Sequence, residues 1–203
     1  MNKIICLALM GVFLAGCSVR PASAAEQRAV FAGGCFWGVE AVFEHVKGVI
    51  DVKSGYAGGT KETANYDAVS NGETKHAESV EVTFDPAVVT YEKLLEIFFS
   101  VAHDPTELNR QGPDIGPQYR SAIFITDAMQ EKIARAAIAE LNASKVFKKS
   151  VVTEVVPLIV FFAAEDYHQD FMKKNPDHPY IVYHDLPKVA ALKKQFPVLY
   201  VEK

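Results

Sequence analysis

Apolar and polar positions follow two rhythms along this chain, and the rhythm changes repeatedly after residue 27. Residues 28–32 form a short apolar run, the pattern of a buried strand, punctuated by Gly33-Gly34. Phe36, Val39, Val42, Phe43 and Val46 then recur near helical spacing, predicting a helix from Cys35 to about His45 that Gly48 is placed to end. A second strand is expected over 49–56, followed by Gly58-Gly59 and a polar loop. Further on, Val80, Val82 and Phe84 alternate with Ser79, Glu81 and Thr83, the period of a strand with one face buried. Thr90 is placed to cap a helix reaching about residue 101, and residues 103–117 read as a loop rich in Pro, Gly and Asp. A strand over 119–126 leads into Asp127 and Gln130, the spacing of a capping box, and a long helix to Leu141. One or two strands are expected over 151–162. Helices are expected over 163–174 and 186–196, the latter opening with Asp185 and Pro187.

Strand and helix patterns thus alternate without a repeat, a low-complexity tract or a composition break, which argues for one α/β or α+β domain. Composition supports a packed core: 49% of residues are hydrophobic, with 13 Phe and 8 Tyr, far more aromatics than a disordered chain carries. The net charge of −4 and the lack of a dense Lys/Arg cluster argue against a nucleic-acid partner.

The first residues have another character. Lys3 precedes an almost unbroken apolar stretch over 4–14. A bilayer needs about 20 apolar residues to be crossed, so the stretch fits the core of a secretory signal. It closes on Leu14-Ala15-Gly16-Cys17, which resembles the bacterial lipoprotein cleavage box, whose Cys becomes the acylated first residue. On this reading residues 1–16 are the signal peptide, Cys17 is lipidated, 17–27 is a tether and 28–203 is the folded domain. The protein would then be exported to the periplasm and lipid-anchored to the cell envelope, with Ser18 leaning toward the outer membrane. Two other readings stay open: cleavage after Ala22-Ser23-Ala24, releasing a soluble protein, and an uncleaved anchor with an incidental Cys17.

Of the three cysteines, Cys6 leaves with the signal and Cys17 is acylated or removed, so Cys35 is the one thiol left in the domain. An oxidising compartment favours paired cysteines, which makes a solitary thiol either buried and inert or kept for its reactivity. Cys35 follows a strand and a Gly-Gly turn and opens a helix, where free N–H groups and the helix dipole favour thiolate. A lone Cys is more often inert. The glycine turn and the adjoining Phe36 and Trp37 reverse that preference.

Gly34-Cys35-Phe36-Trp37-Gly38 resembles the active-site motif of the A-type peptide-methionine sulfoxide reductases. Other segments resemble that family in order: Ser54-Gly55-Tyr56-Ala57-Gly58-Gly59, Asn65-Tyr66-Asp67, His76-Ala77-Glu78, His103-Asp104-Pro105-Thr106, residues 111–121 and residues 164–169. The resemblance implies an α+β fold, a two-layer α/β sandwich with a mixed sheet flanked by helices on a ferredoxin-like core, in a single domain. It implies reduction of the S epimer of methionine sulfoxide in proteins, and of the free amino acid, to methionine, in the repair of oxidised proteins. Cys35 would attack the sulfoxide sulfur and become a sulfenic acid. Glu78 would be the acid, protonated through burial. Tyr66 and Tyr119 would hydrogen-bond the oxygen, Asp114 would organise the pocket, and Phe36 with Trp37 would wall the S-methyl group. Many relatives carry further cysteines near the C-terminus that resolve the sulfenic acid. Residues 180–203 here contain none, and Ser70 stands where several relatives have Cys. No prosthetic cofactor or metal is implied; an external thiol, such as a thioredoxin-like protein, would regenerate Cys35, and the domain is expected to act as a monomer.

Each residue also has a plain reading. Glu78 could be an exposed strand residue, Tyr66 and Tyr119 ordinary loop-edge and core tyrosines, and Asp114 a turn former beside Pro113. Among rival functions, a papain-like thiol hydrolase would pair Cys35 with His168, whose separation suits such a pair. The expected helix around His168 speaks against it. His76 and Glu78 lack the neighbours of a zinc site, and a disulfide oxidoreductase would need a second thiol. A non-catalytic lipoprotein binding Met-rich partners would use the same apolar pocket.

Overall fold

The structure, a computed structural model, describes residues 25–203. The signal peptide, Cys17 and most of the tether fall outside the described residues. The strands are β1 (Gln27–Gly33), β2 (Val49–Ala57), β3 (Ala77–Phe84), β4 (Arg110–Gln111), β5 (Asp114–Ile115), β6 (Ser121–Ile125), β7 (Glu154–Pro157) and β8 (Phe161–Ala163). The helices are α1 (Phe36–Glu44), α2 (Tyr66–Ser70), α3 (Tyr91–Ile97), α4 (Ala128–Ser144), α5 (Phe171–Lys174) and α6 (Leu186–Gln195).

Six strands form one sheet in the order β7-β6-β1-β3-β2-β8, while β4 and β5 make a small separate hairpin. Both β1 and β2 pair antiparallel with β3, so they run parallel to each other and α1 is the crossover between them. With β6 antiparallel to β1 and reached from β3 through α3, the four central strands have ferredoxin-like connectivity. On one edge α4 carries the chain to β7, which pairs parallel with β6; on the other, β8 pairs antiparallel with β2. The sheet is mixed, as expected of the α+β class.

Alternation along the strands decides which residues meet the helices. Phe31 of β1 and Val80, Val82 and Phe84 of β3 pack with Val39, Val42 and Phe43 of α1 and with Leu94 and Leu95 of α3 in the main core. Glu78 has the same parity as Val80, so the period of two turns its carboxyl toward the helix layer and the start of α1. The opposite face carries a smaller cluster of Val30, Ala32, Ala57, Ala77, Ala122 and Phe124, lined by Val156, Leu158 and Phe161. Burial of both faces is why Ser79 is buried although it alternates with the core valines.

Several expectations change. The helix expected over 163–174 shrinks to α5, because Ala163 still belongs to β8 and Asp170 adopts a left-handed φ of 53°. The intervening turn is held by side chains: Gln169 accepts a hydrogen bond from Ser54 N–H at 3.0 Å and donates to Ser54 O at 3.0 Å, closing it onto β2. Tyr119 lies in a 3₁₀ turn, Pro117–Tyr119, ahead of β6 rather than in a strand. Thr90 caps α3 through Lys93 N–H, but the helix continues as a π-helical turn, Phe98–Ala102. Asp127 caps α4 through Met129 and Gln130 N–H. Gln130 returns its side chain to Thr126 N–H at 3.2 Å, one residue before the position a capping box requires.

Candidate active site

The chain enters the site along β1 and turns at Gly33-Gly34. Gly34 has a φ of 90°, where an L side chain is strained, and a Cβ there would lie 2.6 Å from Gln111 Cβ. Gln111 is fixed in turn, accepting from Asp104 N–H at 3.0 Å and donating to Asp104 O at 3.1 Å. At Gly33 a Cβ would meet the His103 ring at 2.9 Å. His103 bridges Phe98 O at 3.0 Å and Ser121 Oγ at 2.7 Å, and burial presses its pKa down to about 4, so it is a neutral strut. These contacts place Cys35 as the N-cap residue of α1, almost fully buried.

Glu78 stands beside it, 2% exposed, its carboxyl accepting the Phe36 N–H at 3.1 Å. Burial raises its pKa from 4.5 to about 8; the Phe36 N–H opposes the rise and the Asp114 charge adds to it. At neutral pH the carboxyl is therefore protonated and can donate. The reading of Glu78 as an exposed strand residue fails. Cys35 departs from expectation. Burial, then Glu78 and Asp185, push the thiol well above its usual range; the Trp37 N–H and Lys188 pull down and do not prevail. The local helix-start argument for thiolate is thus overridden by desolvation.

Three phenols feel the same group of acids. Burial raises the pKa of Tyr66, Tyr119 and Tyr180, so all three are protonated donors. Tyr66 is positioned by Glu165, which accepts its backbone N–H at 2.9 Å and the Tyr56 hydroxyl at 2.8 Å. Gln118, next to Tyr119, donates to Ser70 O at the end of α2 at 2.9 Å, tying the supports of Tyr66 and Tyr119 together. Asp114 opens β5 after the Gly112-Pro113 turn and pairs with Gln111, and its carboxylate accepts the Tyr180 hydroxyl rather than a turn N–H, so the turn-former reading fails.

The aromatic wall is larger than Phe36 and Trp37. Phe36 is buried against His168 at 4.9 Å and Tyr56 at 5.9 Å between centroids, and so forms the floor. Trp37 is only half-buried and stacks on Phe171 at 3.7 Å. Its Nε1 donates to His168 Nδ1 at 3.1 Å, which leaves the His168 proton on Nε2 and the ring committed to holding the indole. His168 lies in a turn, not in the expected helix. The objection to a Cys35–His168 pair rests instead on this bond. His76 is likewise engaged, Nε2 meeting Thr60 O at 2.9 Å. Among the described residues no group of His, Cys, Asp or Glu has the arrangement of a metal site, and no helix is long and apolar enough to cross a membrane.

Residues 27–198 match the family model described as peptide methionine sulfoxide reductase. The chain belongs to the peptide methionine sulfoxide reductase family. The reductase is 57% identical over 170 residues to a Synechocystis protein named peptide methionine sulfoxide reductase MsrA 2, covering 84% of this chain and 79% of that one. It is 55% identical over 182 residues to a Mesorhizobium japonicum protein of the same name, covering 90% and 93%. Among solved structures, reduced Mxr1 of Saccharomyces cerevisiae matches with a TM-score of 0.71 and 34% identity, covering 78% of this chain and 90% of that one. Methionine sulfoxide reductase A of Corynebacterium diphtheriae gives 0.66 and 35%, covering 74% and 76%. The reductase is therefore an oxidoreductase that reduces methionine sulfoxide in proteins, and the hydrolase reading is set aside.

Sequence reasoning gave Tyr180, Glu165 and Lys188 no part in the site and read Asp185 only as the start of the C-terminal helix. Glu165 was visible inside the segment 164–169 that resembles the family. The other three lie in a C-terminal stretch whose sequence shows only an amphipathic helix.

Proposed function

We propose that this site reduces the S epimer of methionine sulfoxide by direct attack of Cys35 on the sulfoxide sulfur, with Glu78 as the acid. The observation that carries the proposal is the buried, protonated carboxyl of Glu78 locked by the Phe36 N–H beside the N-cap thiol. Sulfoxide oxygen leaves poorly until protonated, and Glu78 supplies that proton while Tyr66 and Tyr119 donate hydrogen bonds to the oxygen. The attack joins Cys35 sulfur to the substrate sulfur while the S–O bond breaks, and the oxygen leaves as water with the Glu78 and thiol protons. A water then adds to Cys35 sulfur and the S–S bond breaks, giving methionine, the sulfenic acid and a proton that returns to Glu78; methionine sulfur has gained two electrons and Cys35 sulfur has lost two. Phe36 and Trp37 hold the S-methyl group, and Asp114 acts through Tyr180 to shape the pocket.

Cys35 is the free cysteine among the described residues, so the sulfenic acid is returned to thiol by two equivalents of an external thiol, releasing water and a disulfide. Yeast Mxr1 is also solved in complex with Trx2. We assign a thioredoxin-like protein or a small thiol as the reductant here.

Turnover of each sulfoxide epimer with added dithiothreitol tests the proposal. Wild type should consume the S epimer only, and Cys35→Ser neither. Without reductant, a single turnover should leave Cys35 one oxygen heavier by mass. Turnover by Cys35→Ser, or repeated turnover with no thiol added, would overturn it. Export and lipidation at Cys17 belong to the same proposal, supported by the apolar stretch that ends on Leu14-Ala15-Gly16-Cys17. Mass analysis of the mature N-terminus should find diacylglyceryl on Cys17; a free N-terminus near Ala25 would refute it.

A further inference from the structure

α6 and the π-helical turn before it, Ile181–Asp185, pack on α1 and bring two charged groups against the first turn of the helix that Cys35 caps. Asp185 is completely buried, and Lys188 Nζ lies 3.2 Å from its Oδ1. Both sit against Gly38: a Cβ there would be 2.1 Å from Asp185 Oδ1 and 2.7 Å from Lys188 Nζ. Gly38 is the third residue of the helix that Cys35 caps, and so lies in the turn that follows the nucleophile. The absence of a side chain at Gly38 thus admits an ion pair within the first turn of the helix that carries the nucleophile.

Asp185 has no evident structural duty. It stands at the N-cap of α6, yet its side chain caps no N–H there, and its Oδ2 is buried without a hydrogen-bond partner. A carboxylate left in that state is costly, and plain packing would be served as well by an apolar residue. We propose that Asp185 and Lys188 are positioning residues for Cys35, the buried carboxylate holding the resting sulfur as S–H and Lys188 limiting how strongly it does so. An anion near the thiol opposes a second anion on sulfur, and the cation offsets part of that field. The tendencies agree: Asp185 pushes the thiol up, and the weaker influence of Lys188 pulls it down. The other ionisable groups facing Cys35 are Glu78 from β3, Tyr66 from α2, Tyr119 from the 3₁₀ turn and Tyr180 ahead of α6, and Asp114 of β5 acts on these groups and on Asp185. A thiol without a partner thiol nearby gains from this masking, because peroxide attacks thiolate and the higher oxidation states are not recovered by thiols.

The inference rests on Cys35 as the reacting group, and its test does not use turnover. The rate of Cys35 alkylation by iodoacetamide is followed against pH for wild type, Asp185→Asn and the double variant Asp185→Asn/Lys188→Met. Asp185→Asn should move the alkylation midpoint down by about one pH unit, making alkylation below the midpoint roughly tenfold faster. The double variant, which leaves no charge unpartnered, should move it the same way by less, and it decides alone if Asp185→Asn does not fold. An unchanged midpoint, or an upward move in the double variant, overturns the inference while leaving the reductase reading intact. Wild-type protein that turned over neither sulfoxide epimer, alongside the expected midpoint shifts, would count against the reductase reading and not against this one.

Discussion

Glu78→Gln is expected to lower kcat by about 10²–10⁴-fold, the range that a positioned acid contributes, and at the same time to stabilise the fold above neutral pH. Both effects follow from burial. The carboxyl titrates near pH 8 in the fold against 4.5 in an exposed chain. Between those values the folded protein keeps a proton that the unfolded chain has lost, so wild-type stability falls as pH rises from 4.5 toward 8 and levels off above it. Gln is neutral throughout and can still accept the Phe36 N–H, so the variant should lose this slope and exceed wild type by a few kcal/mol at most at pH 8 and above. Glu40, also buried and held near 8, gives both proteins a slope of the same sign, so the difference between them is the quantity to read. Urea midpoints and kcat measured across pH check the result. Wild-type kcat should fall as pH rises through about 8, where the acid loses its proton. In the same assay Tyr66→Phe and Tyr119→Phe should each lose about 10²–10³-fold, as for a removed oxyanion donor. A Glu78→Gln variant with wild-type turnover would remove Glu78 from the mechanism.

Gly34→Ala should be almost as damaging, by a different route. The φ of 90° costs about 1–2 kcal/mol for an L side chain. The new methyl would also lie 2.6 Å from Gln111 Cβ and Cγ. Gln111 cannot swing aside without breaking both hydrogen bonds to Asp104, so backbone must move and overpacking adds about 1–3 kcal/mol. The nearest movable backbone carries Cys35, and a displacement of about 1 Å at a reacting group costs about 10²-fold. Gly112→Ala is the control: its φ is 56°, but a Cβ there meets nothing within 4 Å. It should lose about 1 kcal/mol and little activity. If the two variants matched in urea midpoint and kcat/KM, the close approach of Gln111 would not be what matters.

The sequence was most informative where structure is local. The strand over 28–32, the glycine turn and the helix after Cys35 follow from periodicity within a few residues and appear as β1 and α1. Asp127 and Thr90 cap the helices they were expected to cap, because a cap needs only the backbone of the next turn. The helix expected over 163–174 failed because its polar residues bond to β2 and α2, partners about a hundred residues away in the chain. Spacing along the chain carries no trace of such partners.

The site divides along the same line. By itself the sequence determined that one cysteine opens a helix between glycines and aromatics, and its ordered motifs placed Glu78, Tyr66, Tyr119 and Asp114 as companions. Charge state was beyond it. Whether Glu78 carries a proton depends on solvent removed by α1 and its neighbours, and the same desolvation turned Cys35 from an expected thiolate into a thiol. The Asp185–Lys188 pair lies about 150 residues from Cys35 in sequence, and only the packing of α6 on α1 brings it against Gly38, in the helical turn that follows the nucleophile. Ionisation answers to everything within several ångströms, whatever its place in the chain, and that neighbourhood is set by tertiary structure.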